Sequence, residues 1–374
     1  MSIKKAKPIL KAKLKKFEKK IIAGTPHKEI ILNGEEFDFL PYIDGYRCLE
    51  DIARLAKRGL NRLLKDIIRL EDLGIIELRL FPESPLMRDL YEKKRPVYKI
   101  CKEHPGMYNV IAYEREWSIY PLVLDFLDRS SENYKLKDLE KKIYLDIIRP
   151  FFNEIPKGSN IIDAGGGIGR FAAWLCKTGH KTQIVDSSPT ALKKALKHLY
   201  AENLVDFDLH LGDAACLTNF ADNTFDAALA IELVCYSDRP AQIVKELARV
   251  TKKNGILVFS VEGKYGALFS DPNVSLDKIP LILREGILKI KDHLYVRYYS
   301  PASLVKLLKE NGIEVIGTFG THYVTDGILH KLINVDKLND NGYKKDIFKI
   351  EKMCRNDPVL QNFARAWVAI GRKR

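Results

Sequence analysis

The fold is decided by the stretch Ile161-Ile162-Asp163-Ala164-Gly165-Gly166-Gly167-Ile168-Gly169-Arg170. An apolar run there ends in an acid, and glycines follow at alternate positions. An amphipathic segment comes next, with helical spacing of Ile168, Phe171, Ala172 and Leu175. This order predicts a buried strand, a glycine turn and a helix whose N-terminus faces a ligand, because glycine lets the backbone approach a bound group closely.

Strands and helices alternate from residue 161 onward, which is typical of a parallel sheet with helices on both faces. Further strands are predicted at 181–185, 206–211, 225–231 and 256–261. The alternating run from Ala364 to Ile370 predicts a last strand, antiparallel to one at 313–319. The predicted fold class is therefore α/β, with a seven-stranded mixed sheet and helices on both faces.

Acids follow three of the predicted strands: Asp163, Asp186 and Asp213. Open α/β sheets bind ligands at the carboxyl ends of their strands, and a carboxylate can accept hydrogen bonds from both hydroxyls of a ribose. One such aspartate alone is more often a turn or cap residue, so the joint occurrence carries the signal. A dinucleotide fingerprint is disfavoured, since Arg170 takes its last glycine position when counted from Gly165.

An acid followed by Gly-x-Gly-x-Gly resembles motif I of the class I S-adenosylmethionine (SAM) methyltransferases. Residues from about 137 to 374 resemble the group that includes ubiquinone and menaquinone methyltransferases, with Phe225-Asp226, Arg249-Val250 and Asn254-Gly255 as further matching pieces. This resemblance implies a Rossmann-like sheet and SAM as cofactor. The residues expected to bind the cofactor are Asp163, Gly165, Gly167, Gly169, Asp186, Asp213, Ala214 and Ile231.

The catalytic residues are less defined by the sequence. Many relatives in this group have Glu-His after the fourth strand, whereas this chain has Cys235-Tyr236. A base is needed only if the acceptor atom carries a proton. Candidates by position are Tyr236, His322, Glu232 and Tyr323, of which Tyr236 and His322 are the expected catalytic residues; a packing role for each stays open. No metal site is expected, because the six cysteines include no C-x-x-C pair.

The predicted function is therefore methyl transfer from SAM to a small-molecule or peptide or protein acceptor. Two alternatives remain: a SAM-sensing winged-helix regulator without catalysis, and a nicotinamide-dependent oxidoreductase. Nucleobase acceptors are disfavoured, because the Asn/Asp-Pro-Pro-aromatic and Pro-Cys motifs of nucleobase methyltransferases are missing after the fourth strand.

The first 26 residues are predicted to be a basic tail. Residues 1–20 hold nine lysines and one acid, which accounts for most of the net charge of +13. Ile9, Leu10, Leu14 and Phe17 fall at helical intervals and predict a short basic amphipathic helix. The tail is either simply solvated or in contact with a nucleic acid or a membrane surface.

Residues 27–81 are predicted to form a compact unit with a strand, three helices and a second strand. It resembles a winged helix. The segments Leu32-Asn33, Ile43-Asp44-Gly45 and Leu49-x-x-Ile52-Ala53 are also similar to peptide-binding domains of the pyrroloquinoline quinone chaperone type. The resemblance implies recognition of a polypeptide rather than DNA; a plain packing domain is the alternative.

The rest of the chain divides into a proline- and aromatic-rich connector at 82–136 and the methyltransferase-like region at 137–374. Insertions at about 263–299 and 320–362 are expected to form a substrate lid. No apolar run is long enough to span a bilayer and the N-terminus lacks an apolar signal core, so we expect a cytoplasmic protein. Oligomeric state is left open.

Overall fold

The computed structural model describes residues 7–17, 20–24, 29–33, 37–43, 48–79, 108–119, 125–131, 133–288 and 296–374. Its N-terminal part consists of β1 (Lys7–Leu10), β2 (Lys13–Phe17), β3 (Lys20–Gly24), β4 (Glu29–Asn33), α1 (Leu49–Leu55), α2 (Leu60–Asp72) and β5 (Ile76–Arg79). Strands β2, β3 and β4 form an antiparallel sheet, and β1 pairs antiparallel with β5.

The prediction of an amphipathic helix in the tail is wrong, because Lys7–Leu10, Lys13–Phe17 and Lys20–Gly24 are strands instead. Pro8 disfavours helical backbone at the residue before it, and β1 gains a full set of partners along β5. The pairing also crosses the predicted boundary at residue 26. A further predicted helix, at 35–42, is reduced to a 3₁₀ turn at Leu40–Tyr42, with residues 34–36 outside the described range.

The remaining chain carries the large sheet. Its elements are α3 (Tyr108–Ile119), α4 (Tyr134–Phe152), β6 (Asn160–Ala164), α5 (Ala172–Lys177), β7 (Lys181–Asp186), α6 (Pro189–Ala201), β8 (Phe207–Leu211), β9 (Phe225–Ala230), α7 (Pro240–Val250), β10 (Thr251–Glu262), α8 (Lys264–Ser270), α9 (Ile279–Glu285), β11 (Ile287–Leu288), β12 (Val296–Arg297), α10 (Pro301–Glu310), β13 (Ile313–Thr321), α11 (Asn341–Asn356) and β14 (Ala366–Lys373).

Seven of these strands form one sheet in the order β13-β14-β10-β9-β6-β7-β8. Strands β10, β9, β6, β7 and β8 are parallel, while β14 lies antiparallel between β10 and β13. Successive side chains of a strand point to opposite faces, so Ile161 packs beneath α4 and Ile162 packs on the side of α7 and α10. The predicted fold class and the inserted C-terminal strand are both confirmed.

The N-terminal unit packs against α6 through a continuous apolar core in which Leu63 and Ile67 of α2 join Leu192 and Leu196 of α6. Ion pairs border this contact: Glu71 lies 2.6 Å from Lys193, and Asp72 lies 2.6 Å from Lys197. Helix α2 is therefore packed on the helix layer of the large sheet, and its acids Glu71 and Asp72 are paired with lysines of α6.

Both predicted insertions contain helices. The first contains α8 and α9, whose apolar side chains pack with Tyr298. The second contains α11, and its Leu338 and Ile347 pack against Leu139 and Ile143 of α4. Within the described ranges, no helix combines the length and the apolar character that a membrane span requires.

Candidate functional site

A cavity of about 370 Å³ lies at the carboxyl ends of the parallel strands. Seven of the eight residues expected to bind a cofactor line it: Asp163, Gly165, Gly167, Asp186, Asp213, Ala214 and Ile231. The eighth, Gly169, instead faces α6, where a Cβ atom would lie 3.3 Å from Cβ of Ala195. The strand-end acids therefore meet at one cavity, and the last glycine of the motif serves packing.

The glycine turn leaves no room for side chains at its start. Gly165 has φ of +68°, and a Cβ atom there would lie 2.8 Å from Cδ1 of Leu233. A Cβ atom at Gly166 would lie 2.7 Å from Cγ2 of Ile184. The turn runs on to Phe171 and α5 begins only at Ala172, so the turn backbone rather than a long helix borders the cavity.

Asp163 is buried at the end of β6, and its Oδ2 atom has no hydrogen-bond partner among the described residues. Burial, with a smaller contribution from the neighbouring Asp186 carboxylate, raises the pKa of Asp163 to about 7. An unmatched buried acceptor costs free energy. Asp163 also lines the cavity, so its carboxylate is suited to a cationic or hydrogen-bond-donating group.

Asp186 joins the end of β7 to the glycine turn. Its carboxylate accepts hydrogen bonds from the Gly167 N–H at 2.9 Å and the Ser188 N–H at 2.8 Å. Burial raises the pKa of Asp186 to about 6 although these two bonds act in the opposite direction. The carboxylate is fixed in place, and its remaining lone pairs are available at the cavity wall.

Asp213 lies beyond β8 at the more open end of the cavity. Its Oδ1 atom accepts a hydrogen bond from the Ala215 N–H at 2.8 Å, and its Oδ2 atom is ion-paired with Arg239. A ligand that uses Oδ2 must therefore share it with Arg239 or displace that side chain.

The order of the acids along β6, β7 and β8 matches the order of the ammonium, ribose and adenine groups in SAM. SAM carries an ammonium group, a ribose diol and an adenine amino group, all of which donate hydrogen bonds. The orphaned Oδ2 of Asp163, the fixed carboxylate of Asp186 and the carboxylate of Asp213 supply acceptors along β6, β7 and β8. The narrow glycine turn also allows the close approach that an α-carboxylate or ammonium needs.

Sequence reasoning missed the wall formed by α3, which lies in the predicted connector. Asn109, Val110, Tyr113 and Glu116 of this helix line the cavity. Asn109 donates a side-chain hydrogen bond to the backbone carbonyl of Tyr236, which ties α3 to the loop after β9. The short helix is surrounded by undescribed connector residues and carries no motif, so no signal in the sequence assigned it to the site.

Besides the residues of α3, Arg170 also belongs to the site although the sequence did not assign it there. It lies on the cavity wall with its guanidinium 5.2 Å from the ring centroid of Phe126 and 4.9 Å from that of Phe171. One of its nitrogens is 3.9 Å from a carboxylate oxygen of Glu232. A charge held in this way can bind an anionic ligand group without leaving its place.

The expected catalytic residues occupy different positions. Tyr236 lines the cavity, and its hydroxyl donates to Oε1 of Glu262 at 2.7 Å. His322 is outside the lining; it is buried, neither ring nitrogen has a hydrogen-bond partner among the described residues, and its ring lies 4.3 Å from that of Tyr144. Burial lowers the pKa of His322 to about 4, so its ring is neutral.

The other two candidates also separate. Glu232 lines the cavity and accepts a hydrogen bond from the Tyr144 hydroxyl at 2.7 Å. Tyr323 is fully buried and donates to the backbone carbonyl of Gln361 at 3.1 Å, away from the cavity. Among the described residues, no group of three or more His, Cys, Asp or Glu side chains is arranged to hold a metal ion.

Residues 162–259 match the family model described as a methyltransferase domain. The chain contains a SAM-dependent methyltransferase domain. The matched residues run from β6 to β10 and include the glycine turn and all three strand-end acids. The prediction of a SAM-dependent enzyme is confirmed at this level.

Curated relatives of this methyltransferase domain share low identity. The ubiquinone biosynthesis O-methyltransferase of Thiobacillus denitrificans is 28% identical over 166 residues, which cover 44% of this chain and 69% of the relative. Methyltransferase GfsG of Streptomyces halstedii is 33% identical over 109 residues, which cover 29% and 39% of the two chains. The magnesium protoporphyrin IX methyltransferase of Synechocystis PCC 6803, solved with bound S-adenosylhomocysteine (SAH), has a TM-score of 0.48 at 12% identity, with 71% of this chain and 100% of that chain covered.

Proposed function

We propose that this protein transfers the methyl group of SAM to an acceptor held between the cofactor cavity and the two helical insertions. The observation that carries the proposal is the order of the acids at one cavity: Asp163, Asp186 and Asp213 follow the adjacent strands β6, β7 and β8.

In this proposal each acid binds one part of the cofactor. Asp163 receives the ammonium group, Asp186 receives the two ribose hydroxyls, and Asp213 with the Ala214 N–H receives the adenine edge. The glycine turn, through Gly165 and Gly167, borders the amino acid part. When bound, SAM supplies a methyl group activated by its sulfonium, and the protein's task is to align the acceptor and exclude water.

The acceptor is proposed to enter from the side of Tyr236. This residue contacts both the cavity and Glu262, which is ion-paired with Arg365 at the base of the insertions. Tyr236 is therefore proposed to contact the acceptor, whereas His322 is proposed to act through Tyr144 because it does not reach the cavity wall. The insertions at about 263–299 and 320–362 form the lid in this arrangement.

The N-terminal part, including the region proposed as winged-helix-like, is proposed to recruit a polypeptide acceptor. Strand β4 pairs with β3 on one side, and no described strand pairs with its other edge. An extended peptide could add there through backbone hydrogen bonds. The regulator alternative is less well supported, since α2, which would be the recognition helix, is packed against α6.

Calorimetric titration tests the cofactor first. We expect micromolar binding of SAM and SAH and no binding of NAD. A screen with radiolabelled SAM then offers phenols, amines and extended peptides as acceptors. Tight NAD binding without SAM binding would refute the proposal and favour the oxidoreductase alternative, whereas SAM binding without transfer to any acceptor class would favour the sensor.

The recruiting role is tested with the same assay on a chain that lacks residues 1–79. We expect an unchanged dissociation constant for SAH and a raised KM for a peptide acceptor. Equal KM values for both chains would contradict a recruiting role. Binding of DNA that falls steeply with salt would instead favour a nucleic acid reader.

A further inference from the structure

Two residues with unusual backbone conformations meet at one tyrosine. Glu232 has φ of +55° and His322 has φ of +61°, a region that residues other than glycine rarely adopt. Both contact Tyr144, a fully buried residue of α4. Such strain persists only where the surrounding structure fixes it, and it concentrates at functional sites. Glu232, His322 and Tyr144 therefore form one connected group whose backbone strain is typical of a functional site.

The contacts hold the Glu232 carboxylate in one place. The hydroxyl of Tyr144 donates to Oε1 of Glu232 at 2.7 Å, while the hydroxyl of Ser260 lies 3.4 Å from that of Tyr144. The Glu232 N–H donates to Oγ of Ser260 at 2.9 Å. The side chain and the backbone of Glu232 are thus both tied to neighbours, and Oε2 is left on the side of Arg170.

The strand order places this carboxylate beside the position proposed for the amino acid part of the cofactor. The acids at β8, β7 and β6 are proposed to follow adenine, ribose and ammonium in turn, and Glu232 comes after β9, the strand next to β6. Its side chain is 36% exposed and lines the same cavity. Glu232 therefore faces the cavity beside the proposed position of the methionine part of SAM, which contains the sulfonium that carries the methyl group.

We propose that Glu232 takes up the proton of the acceptor's nucleophilic atom and that Tyr144 is the residue that positions it. This inference rests on the proposed methyl transfer. The acceptor is then an alcohol or phenol, whose O–H carries that proton. As the lone pair of the oxygen forms the bond to carbon, the carbon–sulfur bond breaks with its electron pair on sulfur, and the proton moves from the oxygen to the carboxylate.

The electrostatics agree with this role. The charged and titratable groups that face Glu232 are Arg170, Lys137, Tyr144, His322, Cys235, Tyr236 and Asp326. Burial alone would raise the pKa of Glu232, but Arg170, Lys137 and the Tyr144 hydroxyl outweigh it and lower that pKa below its usual value. The carboxylate is consequently ionised at neutral pH and ready to accept a proton.

The test uses two cofactor analogues, so it needs no identified acceptor. SAH lacks the methyl group, and sinefungin carries an ammonium group near its place. We expect Glu232→Gln to leave the dissociation constant of SAH within about twofold and to weaken sinefungin about tenfold, the scale of one hydrogen bond to a charged group. If Glu232→Gln weakened binding of both analogues equally, Glu232 would contact a part that SAH and sinefungin share. If neither dissociation constant changed, Glu232 would not lie near the position of the methyl group. Both results overturn the proposal, whereas a wild-type protein that binds neither analogue refutes the proposed function itself.

The positioning role of Tyr144 has a separate readout. The readout is the ratio of the dissociation constants of SAH and sinefungin. In the wild-type protein the preference for sinefungin should disappear as pH falls through the pKa of Glu232. Protonation of Asp163 and Asp186 affects both analogues and cancels in this ratio. Tyr144→Phe removes a bond to the charged carboxylate and should move this loss to higher pH. Tyr200→Phe, at another buried tyrosine that packs against Phe207, should leave the profile unchanged. A profile that is identical in all three proteins, or a pH-independent ratio in the wild type, would contradict the assignment.

Discussion

Replacing Asp186 by alanine should separate cofactor affinity from stability. The carboxylate is proposed to accept both ribose hydroxyls, and a hydrogen bond to a charged group contributes about 1.5–3 kcal/mol. Loss of one such bond weakens SAH binding by about ten- to a hundredfold, since about 1.4 kcal/mol corresponds to a factor of ten. The free energy of unfolding should change less, because the loss of hydrogen bonds and the removal of a buried charge nearly cancel.

The first term is the loss of acceptors for the Gly167 and Ser188 N–H groups, about 1–3 kcal/mol for each orphaned donor. The second is relief of a buried charge. The pKa of Asp186 is raised from 3.8 to about 6, so ionising it in the folded protein costs roughly 3 kcal/mol more than in the unfolded chain. The free energy of unfolding at neutral pH should therefore shift by less than the free energy of binding.

Calorimetry with SAH measures the binding term, and urea unfolding measures the stability term. Asp226→Ala is the matched control, since Asp226 also accepts a backbone hydrogen bond, from Asn160 at 2.9 Å, but lies at the start of β9 on the opposite edge of the sheet. The reasoning would be refuted by an SAH dissociation constant in Asp186→Ala that matches the control. Equal losses of affinity in both variants would show a general effect of sheet destabilisation.

Three further predictions use the same assays. Gly165→Ala and Gly312→Ala both place alanine at positive φ and should each lower the free energy of unfolding by about 1 kcal/mol. Only Gly165→Ala, whose new Cβ atom also meets Leu233, should impair SAH binding. Equal SAH affinity in the two variants would contradict this. Asp163→Asn should raise the melting temperature more at pH 8 than at pH 5. A carboxyl whose pKa rises from 3.8 in the unfolded chain to about 7 in the folded protein destabilises the fold progressively as pH increases between these two values. A gain that is the same at both pH values would be inconsistent with that pKa. Deletion of residues 366–374 should abolish cooperative thermal unfolding, since β14 pairs with a strand on each side, and a truncated chain with an unchanged transition would show that pairing to be dispensable.

The large sheet could be predicted because its signals are local. Strands such as β6 and β9 are continuous apolar runs that end at glycines or acids, and the alternation near Ile370 identified a strand covered on both sides. The tail failed for the opposite reason. The spacing of Leu14 and Phe17 favours a helix. The strands form instead because β2 pairs with β3, and β1 pairs with β5, which lies much further along the chain.

The residues of the site also divide into those that local sequence signals predict and those that depend on distant contacts. The strand-end acids could be placed because parallel strands bring their carboxyl ends to one edge, whatever the helices do. Tyr144 could not, since in the sequence it is one more apolar position in an amphipathic helix, and its contact with Glu232 joins residues 88 positions apart. Arg170 was read only as the residue that breaks a dinucleotide fingerprint, because its stacking on Phe126 requires a connector that no motif fixes.

The position of β14 has a consequence for synthesis of the protein. Val261 of β10 pairs with Trp367 of β14, so β10 leaves the ribosome long before its neighbour exists. At about 5–20 residues per second, the roughly hundred residues between them take on the order of ten seconds to translate. During that time β10 presents an open, apolar edge on the nascent chain, and a holding chaperone that covers this edge would have to leave before β13 and β14 can complete the sheet.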